Sequence, residues 1–189
     1  MSRKDFGVQP WLVPQLVALV SAYDEDRTPN VMNAAWGGMY ANNKVMLCIS
    51  AGHKTTKNIL ARKAFTVGIA NEENLVAADY VGIVSGNRVP NKFEQAGFHA
   101  LQSEFVDAPI IAEIPMSLEC RLAGQTESGC IIGEIVNVSA DESVLAEDGK
   151  PDICRIRPIS YDSVHQTYLL VEKTVGKAFA DGRQLIRDE

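Results

Sequence analysis

NVMNAAWGGMYANNKVMLCISAGHKTTKNI, residues 30–59, is the stretch around which the rest of the chain is arranged. In its first part, Ala34, Ala35, Gly37 and Gly38 carry little or no side chain and flank Trp36. Glycine and alanine let a flat group approach the backbone closely. The same composition also reads as a loop at the mouth of a sheet with Trp36 filling the core. VMLCIS, 45–50, reads as a strand. SAGHKTTKN then opens a helix running to about Lys63, with Thr55 or Thr56 as its cap and Ile59 and Leu60 as apolar contacts. A helix start leaves amides without acceptors, which favours an anion. The Thr55 and Thr56 hydroxyls add donors, Lys54 and Lys57 add positive charge, and His53 adds a hydrogen-bonding ring. The P-loop pattern GxxxxGK[ST] is absent. An ordinary surface helix capped by its own threonine is the competing reading.

Outward from this stretch, strands dominate. Val17–Ala22 reads as a strand, DEDRTPN (24–30) as a turn, and Val31 onward as the returning strand of a hairpin. YANN (40–43) is another turn and FTVGIA (65–70) an alternating strand. Residues 73–86 read as a helix, with Leu75, Ala78 and Gly82 on one face and Gly86 at its end. Residues 91–98 form a shorter helix with Asn91 as cap and Gly97 as stop; Lys92, just past the cap, either faces an anion or is a solvated surface lysine. HALQSEFVDAP (99–109) reads as a connector. Strands follow at 110–114, 116–124 and 130–140, the last two joined by QTESG. Alternation sets Glu119 and Glu134 on polar faces. Residues 137–152 combine acids with turn residues, 153–163 read as a short strand and an irregular segment, and 165–172 are partly strand before a short helix VGKAFA and a polar ending that can wrap a second subunit. Strands with inserted helices and no regular βαβ alternation or GxGxxG imply a mainly β, α+β barrel-like domain rather than a doubly wound sheet.

At 189 residues and 46% apolar, the chain suits one substantial domain. A net charge of -6 supplies no general field for nucleic acid or an anionic membrane surface. No run approaches the roughly 18 apolar residues of a membrane span, and MSRKDF followed by prolines is a poor signal peptide. The expectation is therefore a soluble cytoplasmic protein, with no nucleic acid and no membrane among its partners. Cys48, Cys120, Cys130 and Cys154 show no CxxC spacing, and His53, His99 and His165 are scattered, so no metal site is expected. Cys48 and Cys130 read as buried thiols in apolar runs.

The chain resembles the flavin reductase-like family, the FMN-binding split β-barrel, and within it the flavoredoxin-type small flavoproteins. The resemblance is carried by LVALVSAYDEDRTPNVMNAAWGG, VMLCISAGHKTTKNILARKAFTVGIA, SGNRVPNKFEQAGF, CIIGEIV and ISYDS…HQTYLLVEKTVGKAFADG, in this order over about residues 10–182. It implies a single domain, 1–189, folded as a split barrel with inserted helices and working as a homodimer with noncovalent FMN near the subunit interface. By family position, Asn33, Ala34, Ala35 and Trp36 would line the flavin, Ser50 and Ala51 would lie near the ring or ribityl chain, and Thr55, helped by Thr56, would contact the phosphate. The family often has arginine just ahead of that hydroxyl. Here His53 and Lys54 stand in its place, and lysine is the group charged at neutral pH. Asn58 and Lys92 complete the candidate set. No residue is assigned a catalytic role, because FMN carries the redox chemistry.

Three functions follow from the resemblance. One is an oxidoreductase reducing free flavin or another acceptor with NADH or NADPH. Another is an electron-transfer protein reduced by a redox protein partner. The third is a split-barrel binding protein without flavin chemistry.

Overall fold

The computed structural model describes residues 1–186. Side chains of β2 (Ala18–Tyr23) point alternately into two cores, and this alternation explains why the whole strand is buried. Ala18, Val20 and Ala22 enter one cluster with Val45, Leu47, Ile59, Phe65, Val67, Cys120 and Ile131. Leu19 enters the other, with Val31, Ala78, Val81, Phe93 and Ile159. Period-two geometry in a strand covered on both sides requires this pattern.

The main sheet has seven antiparallel strands in the order β3-β2-β6-β9-β10-β5-β4. They are β3 (Pro29–Ala34), β4 (Gly37–Ala41), β5 (Lys44–Leu47), β6 (Ala64–Ile69), β9 (Met116–Gln125) and β10 (Ile131–Ala140), with β2. Ala34 on β3 and Leu47 on β5 belong to one apolar cluster, although five strand spacings would hold them about 24 Å apart in a flat sheet. The sheet curls to bring them together, and Ile59 of α1 (Lys54–Arg62) plugs the interior. At the register shift between Ile132 and Gly133 the extra residue is Ala123 of β9, and the Phe65 ring lies against Gly133 of β10. A Cβ at Gly133 would collide with that ring, so glycine is required there by close approach.

A second, three-stranded sheet joins β1 (Gln15–Leu16), β11 (Ile159–Asp162) and β12 (Thr167–Leu170), and a two-stranded one joins β7 (Ala100–Gln102) and β8 (Pro109–Ile111). Between sheets lie α2 (Leu75–Ile83), α3 (Lys92–Gln95) and α4 (Ile153–Ile156). No described helix is long and apolar enough to cross a membrane.

Several expectations are corrected. The connector at 99–109 contains β7, because Ala100–Gln102 finds a partner in β8 that lies beyond its own polar loop. Glu119 is not on a polar face: it is 1% exposed and accepts from the Ser103 hydroxyl and, at 2.6 Å, from the Asn137 amide. The expected strand start at 153 is α4, capped by the Asp152 carboxylate on the Cys154 amide. The VGKAFA helix does not form; the tail has a 3₁₀ turn at Asp181–Leu185 instead. Residues 187–189 of the expected subunit-wrapping ending lie outside the described residues. Cys48 is exposed rather than buried, and the Cys130 sulfur lies beside it.

Candidate functional site

His53, not a threonine, is the N-cap of α1. Its backbone is extended, and its carbonyl accepts from the Lys57 amide, but its ring makes no capping bond. The amides of Lys54, Thr55 and Thr56 consequently have no protein acceptor among the described residues. That leaves a cluster of first-turn donors at the positive end of a nine-residue helix. The Thr56 hydroxyl donates back to the Ser50 carbonyl at 2.8 Å and closes the preceding turn. The buried Asn30 amide donates to the Thr55 hydroxyl oxygen at 2.6 Å. Thr55 is thereby held in place with its own proton free to donate elsewhere.

These donors border a cavity of about 280 Å³ whose walls include Asn33, His53, Lys54, Thr55, Gly86 and Lys92. Gly86 closes it from the loop after α2. A Cβ there would run into the Asn30 side-chain oxygen and lie 3.3 Å from the Lys54 Cβ, so only glycine lets this loop press against the start of α1. The Lys92 ammonium caps the last carbonyls of the α2 region, donating to Val81 at 2.9 Å and Val84 at 2.8 Å. Burial pushes Lys92 down to about 8, which leaves it mostly cationic at pH 7. The expected alternative of a solvated lysine is corrected, for Lys92 is only 3% exposed. Lys54 also reaches Asp24, at 3.4 Å.

A second cavity, of about 370 Å³, continues from the first, sharing Asn33 and Gly82 and adding Ala35, Asp79, Tyr161 and Tyr168. Asn33 rivets the sheet to α2 at this waist, donating to the Ala78 carbonyl at 3.0 Å. Tyr161 and Tyr168 face each other across the β11–β12 ladder. The Tyr168 hydroxyl donates to Asp79 at 2.8 Å, and burial together with that carboxylate pushes it up to about 12, so it keeps its proton. The two cavities form a groove with cationic and amide donors at one end and small and aromatic surfaces at the other. A long ligand with an anionic head and a flat body, as FMN is, fits that distribution of donors and open surface. A third recess, of about 450 Å³, shares Ala35 and is bordered by Trp36, Met46 and Cys48.

The structure thus gathers Asn33, Ala35, His53, Lys54, Thr55 and Lys92 around one groove. Ala34 points into the barrel interior. Trp36 borders the third recess, and Ser50 and Ala51 are exposed in the turn before α1. Thr56 and Asn58 are buried on the inner side of α1 and line none of these cavities. Sequence reasoning missed Asp79, Gly86, Tyr161 and Tyr168. The last two had a usable signal, two tyrosines that a hairpin would set opposite each other, but Asp79 and Gly86 acquire their role only from the packing of α2 against β3.

Comparison with known proteins places these features in context. Residues 12–162 match the family model described as flavin reductase like domain. The structure of flavoredoxin of Desulfovibrio vulgaris (Miyazaki F) superposes with a TM-score of 0.92 and 36% identity, over 96% of this chain and 100% of that one. Flavoredoxin from Methanosarcina acetivorans gives 0.88 and 25% identity, over 98% and 100%. An uncharacterized protein of Archaeoglobus fulgidus is 32% identical over 130 residues, 66% of this chain and 72% of the relative. The expected split-barrel architecture is the observed one.

Proposed function

Because the chain belongs to the flavin reductase-like family, we propose that its groove seats one noncovalent FMN and that the protein is an FMN-dependent oxidoreductase. NADH or NADPH serves as electron donor, and free flavin or another small molecule as acceptor. The observation that carries this reading is the convergence of unpaired α1 amides, the pinned Thr55 hydroxyl and the Lys92 ammonium on one end of a groove whose other end is small-residue and aromatic. Bound there, FMN would supply reversible electron transfer.

The protein's own groups hold and shape. Thr55 and the amides of Lys54 and Thr55 would donate to the phosphate, and the buried Lys92 would supply positive charge, while Lys54 divides its charge with Asp24. Ala35 permits close approach of a ring, and Tyr168 keeps a proton on its oxygen beside Asp79. Ser50 and Ala51 flank the phosphate turn, and Trp36 edges the acceptor side.

The reading includes one domain over residues 1–189, a cytoplasmic location and a homodimer. The dimer is supported by Trp36, Met39 and Tyr40, which stand 57%, 63% and 55% exposed at the edge of the main sheet, and by Phe179, 97% exposed in the tail. Sedimentation at twice the 20.6 kDa chain mass is expected; a monomer at micromolar concentration would remove the dimer.

A second reading, an electron-transfer protein reduced by a protein partner, is favoured by the 36% identity to a flavoredoxin along nearly the whole chain. Anaerobic stopped-flow absorbance of FMN-loaded protein with NADH and with NADPH separates the two. Rapid bleaching by either nucleotide is the expected result. Retained FMN that neither nucleotide bleaches within minutes would overturn the reductase and leave the electron-transfer protein.

A further inference from the structure

Cys48 and Cys130 are 82 positions apart in sequence and stand just past the end of the β5–β10 ladder, Cys48 after Leu47 and Cys130 before Ile131. Strands β5 and β10 pair Leu47 with Ile131, Met46 with Ile132 and Val45 with Gly133. One more step along this register sets Cys48 against Cys130. Their backbone groups turn away from each other. The Cys48 amide donates to the Trp36 carbonyl at 2.8 Å, whereas the Cys130 amide donates to the Thr126 hydroxyl and its carbonyl accepts from the Thr126 amide, both at 3.0 Å. Opposed antiparallel residues that do not bond each other bring their Cα atoms to about 4.5 Å, within the span a disulfide bridges. The two sulfurs lie 2.7 Å apart. Cys48 is exposed and borders the recess beside Trp36 and Met46. Cys120, by contrast, is sealed in the core.

We propose that Cys48 and Cys130 form a thiol–disulfide exchange site that reacts with low-molecular-weight disulfides and closes into a reversible cross-strand bond. Hydrogen bonds from the Cys48 thiol and the Ser128 and Thr126 hydroxyls favour the Cys130 thiolate, and the same contact with Cys130 pushes Cys48 up to about 11. Cys130 is therefore the attacking sulfur. Its thiolate bonds to one sulfur of the reagent, the reagent's S–S bond breaks, and one half leaves as a thiolate that takes up a proton. Cys48 then gives up its proton and attacks the Cys130 sulfur. The Cys48–Cys130 bond forms as the second half of the reagent departs as a thiol. The protein pair loses two electrons and two protons, and the reagent gains both as two thiols. Neither step uses bound flavin, so the site stands apart from the function proposed above.

The test incubates the reduced full-length protein with oxidised glutathione at neutral pH, quenches with acid, and follows intact mass and peptide maps. The expected product has lost two hydrogens, carries a single cross-linked peptide pair containing Cys48 and Cys130, and reverts with dithiothreitol. Cys48→Ser should accumulate glutathione on Cys130 that no second thiol displaces, and Cys130→Ser should react at Cys48 far more slowly. Separate glutathione adducts on both cysteines of the wild type, a bond between two chains, or thiols that stay reduced would overturn the site. Equal rates in the two variants would overturn the order of attack. The wild-type map decides the bond by itself, so misfolding of a variant does not protect the proposal.

Discussion

Lys92 stands between the end of α2 and the start of α1 with its ammonium on two backbone carbonyls and only 3% of its surface exposed. Burial lowers its pKa to about 8, so the charge offered to a phosphate at pH 7 is lost as pH rises through that value. FMN affinity should fall above about pH 8 and be level just below it, while riboflavin, lacking the phosphate, should not follow the same curve. Lys92→Met should weaken FMN binding by about 10–100-fold at pH 7 and flatten the upper limb of the profile; a pH dependence unchanged in the variant would take Lys92 out of the phosphate's surroundings. In the protein without ligand the sign is opposite. A lysine whose folded pKa lies below its unfolded one binds fewer protons folded, so its burial is most costly below about pH 8, and its contribution to stability rises with pH from about 8 to 10.5. In the sequence Lys92 was visible only as a lysine after a cap. Its burial depends on the gap between α2 and α3, which no local pattern reports. The helix start at Thr55 was legible to within two residues, although its cap is His53 rather than a threonine, and the neighbouring Asn30 that pins Thr55 gave no sign.

At the scale of elements, β9 and β10 carry the feature that alternation misjudged. Glu119 follows Leu118 on β9 and precedes Cys120, and strand period alone turns it to the polar side. In the fold, that side is covered by the 103–108 loop, whose Ser103 hydroxyl both donates to Glu119 and accepts from the Phe105 and Val106 amides at 3.0 Å. Glu119→Ala would strand the Ser103 proton and the Asn137 amide in a buried place and should cost roughly 2–4 kcal/mol in denaturant unfolding. A loss below about 0.5 kcal/mol, the range of surface substitutions, would show that the loop does not depend on this carboxylate. The strands themselves were legible: β2 is a Val- and Leu-rich run and β6 alternates, and the turns before β3 and β10 carry Asp24–Thr28 and Ser128–Gly129. The two-residue β1 and the three-residue β7 and β8 were not, since strands this short take their identity from their partners.

For the molecule as a whole, curling is what turns separate stretches into one site. The sheet brings β3 beneath α2, and the β11–β12 hairpin closes over the same helix through Tyr168 and Asp79. Residues more than a hundred positions apart, Asn33 and Tyr168, thus share a cavity wall. That joining was readable only through family resemblance, because periodicity marks strands but not the order in which they pair. It leaves a groove with a phosphate end and a ring end, and the account stands on that division. Titration of purified protein with FMN and with riboflavin, comparing wild type with the Lys54→Ala/Thr55→Ala double variant and monitoring folding alongside, tests it most directly. Wild type should bind FMN well over tenfold more tightly than riboflavin, and the double variant should lose most of that preference while keeping its fold. Equal affinity of wild type and double variant for FMN would contradict the account.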